Sequence, residues 1–220
     1  MLDRGVDKRL VFMDEEDHYR FIHDLYVFND TSPMYANGYF FQQESFDIGC
    51  QKIAKDRACL VDIHAFALMP NHYHLLLSPL VEDGIPKFMK KLNMGYSKYF
   101  NEKNKRTGAL WQGKYKSISV VNDGHFLYIP FYIHFNPLDM FAPEWRKGNI
   151  RNRPEAKEFL KNYRWSSHLD YLGIKNFPSV TNREMLLDFF EGTAGYAKTF
   201  KEELKNFSMD HVGEAALEWD

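Results

Sequence analysis

The stretch LVDIHAFALMPNHYHLLLS, residues 60–78, decides how the rest of the chain is read. Two apolar and β-branched runs flank Pro70 and Asn71, residue types that turns demand. This predicts a β-hairpin of strands Leu60–Met69 and His72–Ser78. Side chains alternate along a strand, so His72 and His74 share one face while Tyr73 and Leu75 take the other. Two imidazoles about 7 Å apart along a strand can both reach one metal ion.

Downstream, Ile85, Phe88, Met89, Leu92, Tyr96, Tyr99 and Phe100 recur at helical spacing, and Pro86 suits a first turn, so a helix is expected from about Ile85 to Asn101. Gly108 breaks that pattern. Tyr115–Val121 is rich in β-formers and predicts a strand. Asp123 can cap a further helix that ends near Phe135, with Pro137 just past it. Upstream, Asp14 reads as a helix N-cap with Asp17 placed to reach back, followed by the apolar face Tyr19, Ile22, Leu25 and Tyr26. Gln42–Ala58 reads as helix or loop.

The order is helix, strand, strand, helix, strand, helix, which is the βαββαβ order of a ferredoxin-like or RRM-like sheet without its first strand. Leu2–Gly5 leaves room for only a very short one, unless the sequence starts late. Pro143–Asn162 is polar and aperiodic, a connection with a short helix near Glu155–Leu160. Helices are expected over Thr181–Phe190 and Tyr196–Phe207, then a frayed acidic tail from Ser208. The expectation is an α+β domain over residues 1–142 with an RRM-like antiparallel sheet, and a linker plus C-terminal helical extension over residues 143–220.

The composition is that of a folded globular chain, with 45% hydrophobic and 26% charged residues among 220. A net charge of −2 rules out a polycation, so any nucleic-acid site must be a local patch. Cys50 and Cys59 form no C-x-x-C motif and no disulfide framework, which fits a reduced cytoplasmic protein. No apolar run approaches the roughly 20 residues of a membrane span. The first residues, Met-Leu-Asp-Arg-Gly, are not those of a secretory signal.

Tyr132-Ile133-His134-Phe135-Asn136-Pro137 carries the second chemical signal. On a helix Tyr132 and Asn136 stack one turn apart. They offer a phenol that is nucleophilic once deprotonated and a neutral oxygen ligand. The third signal is charge. Lys87, Lys90, Lys91, Lys98, Lys103, Lys105, Arg106, Lys114 and Lys116 stand against the single acid Glu102, interleaved with Tyr99, Trp111 and Tyr115. Of these, Lys87, Lys91, Lys105, Arg106, Trp111, Lys114 and Lys116 are the candidate DNA contacts, through phosphate or stacked base. Lys90 and Lys98 read as a solvated helix face. A two-residue hairpin loop turns His64 to the Tyr73 and Leu75 face, which makes it structural. Ser166 and Ser167 read as helix caps, and His134 is offset from the Tyr132–Asn136 face.

Ala67-Leu68-Met69-Pro70-Asn71-His72-Tyr73-His74-Leu75-Leu76-Leu77 resembles the HUH motif of single-tyrosine transposases, and more narrowly that of the REP-associated tyrosine transposases. Four further stretches agree in order: Arg4–Arg9, Gly108–Lys116, Tyr132–Pro137 and Tyr163–Ser167. Together they span roughly residues 4 to 173. The resemblance implies His72, His74 and Asn136 as metal ligands, with Mg²⁺ or Mn²⁺ as the cofactor. It implies Tyr132 as the nucleophile that keeps the 5′ end of a cut strand, and single-stranded or hairpin DNA as the partner of a monomer or homodimer. Tyr73 is bulkier than the usual central residue of the motif. Pro130 lies inside the nucleophile's helix and could re-aim it, which makes Tyr128, one turn earlier, a second candidate. Three rivals stand beside this reading. A host-retained enzyme would keep the chemistry without mobility. A catalytically silent DNA-binding module would keep only the fold. A zinc hydrolase would need a carboxylate base that no matching spacing supplies.

Overall fold

Strand β3 (His72–Pro79) lies between β1 (Leu2–Arg4) and β2 (Val61–Met69) in an antiparallel sheet of order β1-β3-β2. The computed structural model describes residues 1–32, 57–120 and 123–211. Most of the stretch Gln42–Ala58, Cys50, Val121 and the end of the chain lie outside these. The hairpin pairs Met69 with His72, Leu68 with Tyr73 and Ala67 with His74, which is the register of a two-residue loop at Pro70–Asn71. The first strand is present and very short, because Leu2, Asp3 and Arg4 pair with His74, Tyr73 and His72.

Both faces of the sheet are covered. Tyr73 and Leu75 join a core with Phe21, Ile22 and Leu25 of α1 (Glu15–Val27) and Phe88, Met89, Leu92 and Tyr96 of α2 (Gly84–Lys103). Ala65, Ala67 and Leu76 join a second core with Ile129, Phe131, Tyr132 and Ile133 of α3 (Asp123–Phe135). The segment Phe126–Phe135 is apolar in nearly every direction, as a helix buried all round must be. Its far side is covered by Tyr196, Phe200 and Leu204 of a C-terminal helix, Gly192–Asn206. Between them come helices Arg153–Asn162, His168–Tyr171 and Glu184–Phe189. Residues 143–211 therefore share a core with α3 and do not form an appended layer.

Two segments extend the sheet without becoming strands. Lys116 and Leu2 exchange backbone bonds of 2.8 and 3.0 Å, and Gln112 N–H donates to the Arg4 carbonyl at 2.8 Å. The strand expected over Tyr115–Val121 is thus an earlier, interrupted pairing: Gly113 sits at φ 143° between the bonded residues, which breaks a regular ladder. On the other edge, Leu68 N–H donates to the Trp165 carbonyl at 2.9 Å and Ser167 N–H to the Phe66 carbonyl at 3.0 Å.

Capping of α1 follows the sequence. Asp14 accepts from Asp17 N–H at 3.0 Å, and Asp17 accepts from Met13 N–H at 2.8 Å. Lys103 donates to both carboxylates at 2.8 Å, tying the end of α2 to the start of α1.

The α2 side also explains Tyr73. Its hydroxyl donates to Asn93 Oδ1 at 2.6 Å, and Asn93 Nδ2 donates to Asp3 Oδ2 at 2.6 Å. Burial pushes the Asp3 carboxyl up to about 7, against the pull of the Arg4 N–H and the Asn93 amide. A carboxyl raised on folding contributes stability that is complete below about pH 4 and is lost as pH rises through about 7. Asp3→Asn should therefore gain on the wild type between pH 5 and pH 8, by about 2–3 kcal/mol. Denaturant titrations of both proteins at the two pH values check this; a constant difference would place Asp3's ionisation outside the folding linkage.

Candidate active site

The first histidine is set by the hairpin turn, and the turn is held by the N-terminal loop. Gly5 N–H donates to the Asn71 carbonyl at 2.8 Å, and Val11 and Phe12 N–H reach the Pro70 carbonyl at 2.8 and 3.1 Å. A Cβ at Gly5 would stand 2.6 Å from the Arg9 carbonyl oxygen, so only glycine permits this approach. Asn71 Oδ1 then lies 2.6 Å from His72 Nδ1. With the proton on Nδ1 donated to that oxygen, the neutral ring keeps a lone pair on Nε2.

His74 is 4% exposed, and its Nε2 is buried without a hydrogen-bond partner. The two imidazole centroids lie 5.0 Å apart, and the His74 ring stands edge-on to Tyr132 at 5.6 Å. Burial holds both histidines neutral. His72 is pushed down to about 4 by burial and then by the Arg4 and Arg146 guanidinia, with Asp139 opposing them. Burial, the neighbouring His72 and Arg146 hold His74 well below the ordinary range.

Helix α3 passes through Pro130 and brings Tyr132 edge-on to His74. One turn on, Asn136 Nδ2 donates to the Tyr132 carbonyl at 2.7 Å, which fixes the amide. Its Oδ1 accepts from Arg146 at 2.9 Å. Asp139 grips the same guanidinium with bonds of 2.9 and 2.7 Å and accepts from Trp145 Nε1 at 2.7 Å. Arg146 also hydrogen-bonds the Tyr132 side chain. Sequence reasoning missed Arg146 and Asp139. They come from 3₁₀ turns, Asn136–Met140 and Pro143–Lys147, whose spacing has no period to read.

This donor set suits a divalent metal ion. Two neutral imidazoles face the same side, His74 Nε2 is an orphaned buried nitrogen, and the Asn136 carbonyl oxygen keeps a second lone pair beside its bond to Arg146. Among the described residues no cluster of three His, Cys, Asp or Glu side chains forms a metal cage. The third ligand would have to be an amide. A cavity of about 370 Å³ opens beside this group, with His74, Leu76, Ser78, Ile85, Ile129 and Tyr132 in its wall.

His64, His134 and His168 are structural. A bulge between Ile63 and Ala65 takes His64 out of alternation, so it does not share the Tyr73 and Leu75 face as expected. Its ring bonds Ser78 Oγ at 2.7 Å and the Asn182 carbonyl at 3.2 Å. His134 bonds Ser167 Oγ and the Tyr196 hydroxyl, both at 2.7 Å, and His168 reaches the same hydroxyl at 2.9 Å. Ser167 sits at a helix N-cap, but its hydroxyl accepts from Phe66 N–H instead of capping.

The candidate DNA contacts separate. Lys116 falls in one row with Leu2, His74 and Ala67, and Lys114 is exposed two residues before it. Lys87 and Lys91 belong to α2, behind the sheet from the histidine pair. Lys87 donates to the Glu82 carbonyl at 2.9 Å, and Lys91 donates to the Asp30 and Ser32 carbonyls. Lys105 is exposed beyond the end of α2, and Arg106 bonds Asn101 and Ala109. Trp111 is a correction to the expected base platform. It is 7% exposed, lies edge-on to Tyr73 at 5.3 Å and donates to the Asn93 carbonyl, so the core has taken its ring.

An antiparallel sheet with a histidine pair on its central strand, faced by a tyrosine one helical turn before an amide, defines the HUH class. The family of IS200-like transposases matches residues 34–136, which supports a place for the chain among the single-tyrosine transposases, a class whose partner is DNA. No curated protein and no solved structure matches the chain. No helix among the described residues is long and apolar enough to cross a membrane.

The Tyr196 hydroxyl has one proton, so it donates to one of its two imidazoles and accepts from the other. Tyr196→Phe should orphan both and cost about 2–4 kcal/mol. Denaturant unfolding measures that loss, and a change below about 0.5 kcal/mol would mean the network carries no stability.

Proposed function

We propose that this transposase cuts and rejoins single-stranded DNA, most readily next to a hairpin, through a covalent 5′-phosphotyrosine at Tyr132. The observation that carries the reading is the edge-on contact of Tyr132 with His74, with Arg146 on the phenol. The Tyr132 oxygen attacks the scissile phosphorus, and the bond from phosphorus to the 3′ oxygen breaks. The phenol proton passes to solvent, and the released 3′ oxygen takes one up. Attack by another 3′-hydroxyl reverses the step without ATP, because the phosphotyrosine keeps the energy of the diester. Arg146 favours the charge that the phenol oxygen carries as nucleophile and as leaving group. Asp139 and Trp145 hold Arg146 in place. His72, His74 and Asn136 would hold Mg²⁺ or Mn²⁺, which supplies Lewis-acid polarisation of the phosphate oxygens when bound. The narrower kinship with REP-associated transposases rests on the five ordered sequence stretches and favours palindromic substrates.

Tyr132→Phe should abolish the covalent adduct on a labelled hairpin with Mn²⁺, and Tyr128→Phe should keep most of it. Mass spectrometry of the trapped peptide assigns the residue; an adduct on Tyr128 would overturn the assignment. In the same assay His72→Ala and His74→Ala should lose cleavage while keeping hairpin binding, since phosphate contacts by lysines need no ion. Cleavage by either variant in the presence of chelator would remove the metal from the reading.

The edge segment beside β1 supplies the proposed phosphate track. Replacing Lys114 and Lys116 by alanine should weaken binding and flatten the salt dependence by roughly one unit of slope per lost contact. Affinities measured across a salt series give the slope, and an unchanged value would move the DNA path away from this edge.

A further inference from the structure

Strand β1 puts a guanidinium on the histidine side of the sheet. Arg4 pairs directly with His72, and cross-strand partners share a face. The neighbouring Asp3 points the other way, to Asn93 of α2, which fixes the alternation independently. The Arg4 backbone is pinned on both sides: its N–H donates to Asp3 Oδ1 at 2.9 Å, and its carbonyl accepts from Gln112 N–H at 2.8 Å. The side chain is held but not satisfied. Its Nε and Nη1 are buried and meet no acceptor among the described residues. Buried donors nearly always have partners, and a buried cation nearly always has an anion. His74 Nε2 is orphaned on the same side, with Tyr132 against the ring. The two unanswered guanidinium nitrogens on this face call for an anion with several acceptor oxygens.

We infer that Arg4 is a binding residue for the scissile phosphodiester, donating through Nε and Nη1 to a non-bridging oxygen while Tyr132 faces the phosphorus. This deepens the proposal that Tyr132 is the nucleophile and rests on it for the identity of the phosphate. During attack the phosphorus gains the tyrosine oxygen and loses the 3′ oxygen, and charge builds on the non-bridging oxygens that the guanidinium contacts. A planar fork fits two acceptor directions, which an ammonium does not reproduce, so lysine is no substitute.

Two measurements test this. Inorganic phosphate, at an ionic strength matched with chloride, should raise the thermal midpoint of the wild type, and Arg4→Gln should weaken the apparent phosphate affinity at least about fivefold. Equal stabilisation of both proteins overturns the inference. In single-turnover cleavage of a hairpin oligonucleotide with Mn²⁺, Arg4→Gln should be slower by about 10²–10³-fold on the phosphodiester. On a substrate with a neutral methylphosphonate at the scissile linkage, wild type and variant should differ by only a few-fold, because the charge that Arg4 answers is gone. A merely structural Arg4 would slow both substrates alike, and that result overturns the inference. Should Arg4→Gln fail to fold, Arg4→Lys keeps the charge without the fork and should still lose at least tenfold in diester cleavage; wild-type behaviour of that variant also overturns it. Loss of the phosphate effect in Arg4→Gln, together with a wild type that forms no adduct, would leave the anion site standing and refute the nuclease reading instead.

Discussion

Strand β3 is buried on both faces, and the rest of the structure depends on which of its side chains point which way. A slip of one residue would send His72 and His74 into the core beneath α1 and α2, and Tyr73 and Leu75 toward α3. Several bonds forbid it. Tyr73 reaches Asn93 and, through it, Asp3. The Pro70–Asn71 turn is strapped by backbone donors from Gly5, Val11 and Phe12. The bulky residue between the histidines is thus an anchor, whose hydroxyl ties the back of the sheet to α2 and leaves the histidines facing α3.

The front is assembled from pieces far apart in sequence. The hairpin provides the imidazoles, α3 the phenol and amide, and two 3₁₀ turns the Arg146 and Asp139 pair. A three-residue strand brings Arg4. Helix α3 is too apolar to stand at a surface, and the C-terminal helices bury its far side through Phe200, Leu204 and Phe207. The geometry around Tyr132 therefore rests on the last third of the chain as much as on the sheet.

Much of this was legible in the sequence. The hairpin, α2 and α3 announce themselves by period, by turn residues and by capping, and His72, His74, Tyr132 and Asn136 fall out of strand alternation and one helical turn. What was not legible is what long-range pairing decides. β1 is only Leu2–Arg4 and is defined by its neighbours, not by its own pattern. The edge segment near Lys116 has the residues of a strand but is interrupted at Gly113. Parity from a two-residue loop gives His64 one face, and a bulge between Ile63 and Ala65 changes that parity. Trp111 and Lys91 look like DNA contacts in a basic stretch, yet one ring fills a core gap and the other amine answers backbone carbonyls. Charge and aromaticity state what a side chain can do, and only packing decides whether it is free to do it.

The buried chain from Ser167 through His134 and Tyr196 to His168 bears on motion. His134 stands two residues from Tyr132 on the same helix, and its ring is bolted to the β2 edge on one side and to the C-terminal helix on the other. Swinging the helix away would mean tearing those bonds out of a buried interior. If one tyrosine both cuts and rejoins, the exchange is then a traffic problem for the DNA: the ends must trade places around a stationary anvil.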